Sequence, residues 1–105
     1  DMVLRGGENI YCAEVEASIY EIPEVYECSV YGIPDERLGE KLACHIMVRP
    51  GNSLTGNQVA DLLKGRIASY KIPDFVTIVT APLPRNASGK ILKRELRQIA
   101  IDSSN

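Results

Sequence analysis

Little in this sequence points to a metal, a membrane or a nucleic acid. It holds a single histidine and only three cysteines in 105 residues. Cys12, Cys28 and Cys44 include no C-x-x-C pair, and each falls within an apolar periodic segment. They read as small core residues of a reduced, intracellular protein. His45 adjoins Cys44 in an expected strand, where successive side chains point to opposite faces, so no metal site is expected there. No apolar run approaches the roughly 20 residues of a spanning helix, and no signal-peptide pattern is present. These absences lead to the expectation of a soluble, cytoplasmic protein. An excess of one charge sign is also missing: 12 Lys and Arg against 14 Asp and Glu give a net charge of −2. That balance argues against nucleic acid or an anionic membrane as the main partner. The length suits one domain with one modest core, not a catalytic domain plus a lid.

What the chain does contain falls into short periodic segments. Asp1 to Ile10 begins as a strand-like run and enters the paired glycines Gly6-Gly7, which suit either a tight hairpin or the wall of a narrow ligand channel. The run lacks an initiator methionine and so reads as part of an excised fragment, while the ending through Ser104 and Asn105 reads as a chain terminus. Cys12, Val15, Ile19 and Ile22 fall on one face of a helix that Pro23 ends. Val25 to Ile33 is expected to be a strand with Tyr26, Cys28 and Val30 on one face and Glu27 and Ser29 on the other. After the turn Pro34–Gly39, Leu42 to Val48 is a second strand, antiparallel to the first. Thr55 and Gln58 form a capping box, and Leu54 and Val59 have the spacing of a hydrophobic staple. Val59, Leu62, Leu63 and Ile67 should be the buried stripe of the helix they open. Phe75 to Val79 reads as a third strand.

The most informative stretch follows: Pro82-Leu83-Pro84-Arg85-Asn86-Ala87-Ser88-Gly89-Lys90-Ile91. Its prolines deny the backbone a helix or a central strand, and Asn86, Ser88 and Gly89 supply turn chemistry. A helix is expected at once, with Leu92, Leu96 and Ile99 as its apolar stripe and Lys93, Arg94 and Arg97 on other faces. Lys90 then stands where a glycine-bearing loop meets a docked helix and can present one ammonium to a partner. Gly89-Lys90 is not the end of a phosphate-binding P-loop. That motif needs a glycine where Pro84 stands and Ser or Thr where Ile91 stands.

The order from Pro82 through Arg97 resembles the last core motif of the adenylate-forming superfamily. Asp1-Met2-Val3-Leu4-Arg5-Gly6-Gly7-Glu8-Asn9-Ile10 resembles the motif that opens the C-terminal domain of that superfamily, in the form found in acyl-CoA and aryl-CoA ligases. The likeness covers Asp1 to about Arg97 and identifies the whole chain, residues 1–105, as the C-terminal lid domain of such a ligase. It implies an α+β fold, a small antiparallel sheet of about three strands with helices packed on it, plus a short two-stranded N-terminal element. It also implies roles. Lys90, on a loop with Ser88 and Gly89, would be the catalytic lysine of carboxylate adenylation. Gly6, Gly7, Glu8 and Asn9 would line the tunnel that admits pantetheine. Tyr70, Lys71 and Ile72, with Leu38, would lie near the nucleotide end of CoA, although Leu38 replaces an aromatic found in some members. Asp1 would adjoin the hinge. The implied substrates are ATP with Mg2+, coenzyme A and an acyl or aryl carboxylate. The implied partner is the chain's own large N-terminal domain, which in the family carries the phosphate loop and acyl pocket. Two other readings stand beside this one: a lid that serves a carrier protein, and a non-catalytic interaction module that docks through the basic helix.

Overall fold

A computed structural model describes residues 1–103; Ser104 and Asn105, read above as a chain terminus, lie outside the described residues. The architecture grows from strand β4, Gly39–Val48, which pairs with three neighbours. Along one edge it runs antiparallel to β3, Val25–Asp35, across the tight turn at residues 36–38. On its other edge, β1 (Met2–Arg5) meets it antiparallel at Gly39, and β5 (Phe75–Val79) lies parallel to residues Ala43–Met47. β2, Glu8–Tyr11, completes a hairpin with β1. The α+β class holds, with two refinements. The N-terminal hairpin belongs to the main sheet, which makes five strands, and β5 is parallel to its neighbour.

Helices cover both faces of the β3–β4 pair. On the first face, α1 (Cys12–Tyr20) and α2 (Gly56–Leu63) close a core that includes Val15, Ile19, Val59 and Leu63 over Cys28, Val30, Cys44 and Ile46 of the sheet. On the second, α3 (Lys93–Ser103) sets Leu96 and Ala100 against Tyr31, Ile33, Ala43 and Leu83. A fully buried Leu or Ile contributes about 1.5–3 kcal/mol of transfer free energy. Both clusters therefore hold the sheet in place. α1 stops at Tyr20, two residues short of the expected end, and Ile22 is buried just beyond it.

Local rules explain most boundaries. The capping box at α2 is present in both directions: Thr55 Oγ1 accepts from the Gln58 amide at 3.1 Å, and Gln58 Oε1 accepts from the Thr55 amide at 2.9 Å. Leu54 and Val59 are both buried, as the staple requires. Three expected faces differ from those observed. Tyr26 is 55% exposed and does not share the face of Cys28 and Val30, because a β-bulge shifts the register between Val25 and Glu27. Leu62 is 42% exposed, and α2 ends at Leu63, so Ile67 packs against the core from the segment that follows. Ile99 is 50% exposed, and Ala100 takes its place beside Leu96.

Candidate functional site

Lys90 stands on a loop tied closely to itself. Arg85 and Ile91 form an antiparallel bridge across its neck, with the Asn86 amide donating to the Lys90 carbonyl at 2.9 Å. Asn86 Oδ1 accepts from the Ser88 amide at 3.0 Å, the Ser88 hydroxyl at 2.8 Å and the Lys90 amide at 2.9 Å. Gly89 takes φ +87°, a left-handed conformation that a side chain would strain. α3 begins at Lys93, a few residues later than the sequence pattern suggests, because Lys90 and Ile91 still belong to the closed loop. The Lys90 side chain is exposed, and among the described residues no carboxylate pairs with it. It faces an open groove of about 660 Å3 whose lining includes Asp1, Asn86, Leu92 and Arg94. The candidate catalytic lysine and Asp1, the candidate neighbour of a hinge, thus share one groove.

The glycine candidates and Leu38 gather at the turn of the β1–β2 hairpin. Arg5 pairs with Glu8 across two intervening residues, Gly6 at φ +56° and Gly7 at φ +85°. That geometry is the tight two-residue hairpin turn, which needs positive φ at both positions. Gly6 through Asn9 are exposed. The Gly6 amide donates to the Leu38 carbonyl at 2.8 Å, and a Cβ on Gly6 would stand 3.1 Å from Leu38 Cδ2. The glycine turn and Leu38 are therefore packed together.

Tyr70, Lys71 and Ile72 lie in the segment before β5. Tyr70 and Ile72 pack against the first core, and Lys71 Nζ lies 5.7 Å from the Tyr70 ring centre. The Lys71 ammonium is held by Glu14 of α1, with Nζ 3.0 and 2.9 Å from the two carboxylate oxygens. This bond raises the Lys71 pKa against the opposing effect of burial, and Glu8 adds a weaker attraction. Lys71 is thus a charge already matched. A phosphate would have to compete with Glu14 for it.

Asp74 locks the junction of β1, β4 and β5. Its oxygens accept from Arg5 Nε at 2.9 Å and Arg5 Nη2 at 2.8 Å, and Oδ2 also accepts from the Leu42 amide at 2.9 Å. Burial pushes the Asp74 carboxyl up, but the bonds from Arg5 and Leu42 outweigh it and hold it below the ordinary value. The spacing between the two ends then follows from strand geometry. Five residue steps lead from Asp1 to Gly6, which at about 3.3 Å each is roughly 16 Å of extended chain. Lys90 lines the groove at the Asp1 end of the hairpin, and the glycine turn closes its other end.

Sequence reasoning missed the residues that hold the lysine loop. Glu27, assigned above to the face opposite Cys28, does take that face, but there it is buried beneath the chain leading to Lys90. Its Oε2 accepts from the Leu83 amide at 2.8 Å, and its Oε1 pairs with Arg85 Nη2. The signal available was the run Cys28 to Ile33, whose near-continuous apolar character marks a strand buried on both faces. Cys44 and His45 do point to opposite faces. Cys44 lies in the first core, and His45 Nδ1 stands 2.6 Å from the Tyr31 hydroxyl on the second. Burial lowers the His45 pKa and pushes the Cys28 thiol up to about 12. Neither group has the character of an exposed nucleophile or metal ligand.

The family profile of the AMP-binding enzyme C-terminal domain matches residues 14–90. Feruloyl-CoA synthase from Amycolatopsis sp is 44% identical over 98 residues, which cover 93% of this chain and 20% of that protein. A mitochondrial medium-chain acyl-CoA ligase from Bos taurus is 41% identical over 98 residues, covering 93% of this chain and 16% of the relative. The solved structure of apo MatB from Rhodopseudomonas palustris matches with a TM-score of 0.93 at 35% identity, over 100% of this chain and 21% of that one. The chain spans a fifth or less of the curated relatives named here. With a matching profile, this level of identity and a shared fold, the chain belongs to the C-terminal domain family of AMP-binding enzymes, the family found in acyl-CoA synthetases and ligases.

Proposed function

We propose that residues 1–105 act as the mobile C-terminal domain of an ATP-dependent, AMP-forming acyl-CoA ligase, with the large catalytic domain on the same polypeptide. In the first half-reaction a carboxylate oxygen attacks the α-phosphorus of Mg-ATP, and pyrophosphate leaves with the electron pair of the broken bond. Both reactants are anionic, so an aimed ammonium can align them and offset the charge that develops. Lys90 takes this role. A single positioned donor is typically worth about 10²–10³ in rate.

In the second half-reaction the CoA sulfur attacks the acyl carbon, and AMP leaves. The narrow passage for pantetheine is assigned to Gly6 and Gly7, flanked by Glu8 and Asn9, with Leu38 and the Tyr70–Ile72 segment toward the nucleotide end of CoA. The observation that carries this reading is the separation of the two loops. An exposed lysine lines the groove that Asp1 also lines, at the open end of the β1–β2 hairpin, and the exposed glycine turn closes the hairpin's other end. Rotation of the domain about a hinge beside Asp1 would offer them in turn. The acyl pocket and the phosphate loop fall to the large domain, so the isolated chain is expected to be inactive.

The test is to separate the half-reactions in the full-length ligase. Lys90→Ala should impair adenylation and spare thioester formation from supplied acyl-adenylate, and bulk at Gly7 should do the reverse. Equal damage to both steps by both changes would refute a two-loop domain.

A further inference from the structure

The adenylation role of Lys90 leaves unexplained why a carboxylate is buried under its loop. Glu27 is 5% exposed, and a carboxylate in such a place is costly unless it is paired and hydrogen-bonded. Both of its oxygens are committed to one short segment. Oε2 accepts the Leu83 amide at 2.8 Å, and Oε1 takes Arg85 Nη2. The other terminal nitrogen of the same guanidinium, Nη1, donates to the Gly89 carbonyl at 2.6 Å. A guanidinium is a planar fork with fixed donor directions, so gripping Glu27 with one prong sets where the other can hold Gly89. That carbonyl belongs to the peptide joining Gly89 to Lys90.

We propose that Glu27, acting through Arg85, is a positioning residue for the adenylation lysine. It touches no substrate. It fixes the Gly89–Lys90 peptide relative to β3, and so sets the direction in which the Lys90 side chain leaves the domain. The inference rests on the adenylation role assigned to Lys90 above. Asn86 closes the loop on itself, whereas the Glu27–Arg85 relay ties the closed loop to the sheet. A loop that keeps its shape but tilts by about an ångström would carry Lys90 out of reach, a misplacement that can cost up to about 100-fold.

The experiment compares wild type, Lys90→Ala, Glu27→Gln, Arg85→Gln and Glu27→Gln/Lys90→Ala in the full-length ligase, measuring each half-reaction separately. Glu27→Gln keeps the size of the side chain and an acceptor for Leu83 but weakens its hold on Arg85. The expected result is a fall of about 10- to 100-fold in kcat for carboxylate-dependent ATP–pyrophosphate exchange. KM for ATP should stay close to wild type, and so should thioester formation from preformed acyl-adenylate. With Lys90 already removed, Glu27→Gln should change the exchange rate little further, because the two residues act as a unit. If Glu27→Gln fails to fold, Arg85→Gln carries the same prediction, since the Arg85 side chain is 45% exposed. Parallel loss of both half-reactions would reduce the relay to a structural staple and overturn the proposal. So would unchanged adenylation in Glu27→Gln and Arg85→Gln while Lys90→Ala abolishes it. Full exchange activity in Lys90→Ala would instead overturn the role of Lys90, and this inference with it.

Discussion

The Lys93 ammonium lies 2.5 Å from the Asp1 carboxylate and joins the start of β1 to the first turn of α3 across 92 positions of sequence. The same nitrogen donates to the Val30 carbonyl at 2.7 Å and lies 3.0 Å from a Glu16 oxygen. Glu16 in turn accepts the Val30 amide at 2.8 Å. One lysine thus binds the residue before β1, α1, β3 and α3 into a single body.

Lys93→Met should therefore destabilise the domain by about 1–3 kcal/mol, the range for hydrogen bonds to charged groups with a partner left behind. Asp1→Asn should cost less, at most about 1 kcal/mol, because the Asp1 side chain is 64% exposed and solvent screens it. Urea unfolding of the two variants beside wild type checks the order. Equal effects would mean that the Val30 and Glu16 contacts contribute nothing.

The glycine turn makes a stability prediction distinct from its chemistry. Gly7 at φ +85° has open space around a Cβ, so Gly7→Ala should cost about 1–2 kcal/mol through backbone strain alone. Gly6→Asn should be milder, because Asn tolerates the left-handed region and suits this turn type, although its Cβ would press on Leu38. Thermal unfolding of both variants tests this. A more damaging Gly6→Asn would show that packing on Leu38 outweighs backbone strain.

Much of this was legible in the sequence because it is local. The capping box of Thr55 and Gln58, the staple of Leu54 and Val59, and the turn at Gly6-Gly7 depend on residues within a few positions of one another. The resemblance at both ends of the chain singled out Lys90 and the glycine turn as candidates. What escaped depends on distant partners. The parallel pairing of β5 with β4, the burial of Glu27 and the reach of Lys93 to Asp1 each join segments far apart in sequence. The bulge at Tyr26 misled differently, since one extra residue reverses the side-chain alternation that a face assignment relies on.

Acid should weaken the fold in two stages. His45 is buried neutral with its pKa lowered, so the unfolded chain takes up that proton first, and stability should fall as pH drops below about 6.5. Asp74 has its folded pKa held below the ordinary value. Its contribution is complete above the unfolded carboxylate pKa, about 3.9, and is lost as pH falls through the lower folded value. Urea unfolding from pH 8 to 3 should show the first stage missing in His45→Gln. Asp74→Asn should be less stable than wild type at neutral pH by about 1–3 kcal/mol, with the gap narrowing below about pH 4. A gap that stays constant would mean that Asp74 acts through shape rather than charge.

The most direct measurement uses the full-length ligase with Lys90→Ala. Carboxylate-dependent ATP–pyrophosphate exchange is followed in one assay and CoA thioester formation from preformed acyl-adenylate in another. The account predicts a loss of about 10²–10³ in the first, with the second close to wild type. Full retention of the exchange would contradict it and leave Lys90 as a solvated surface charge.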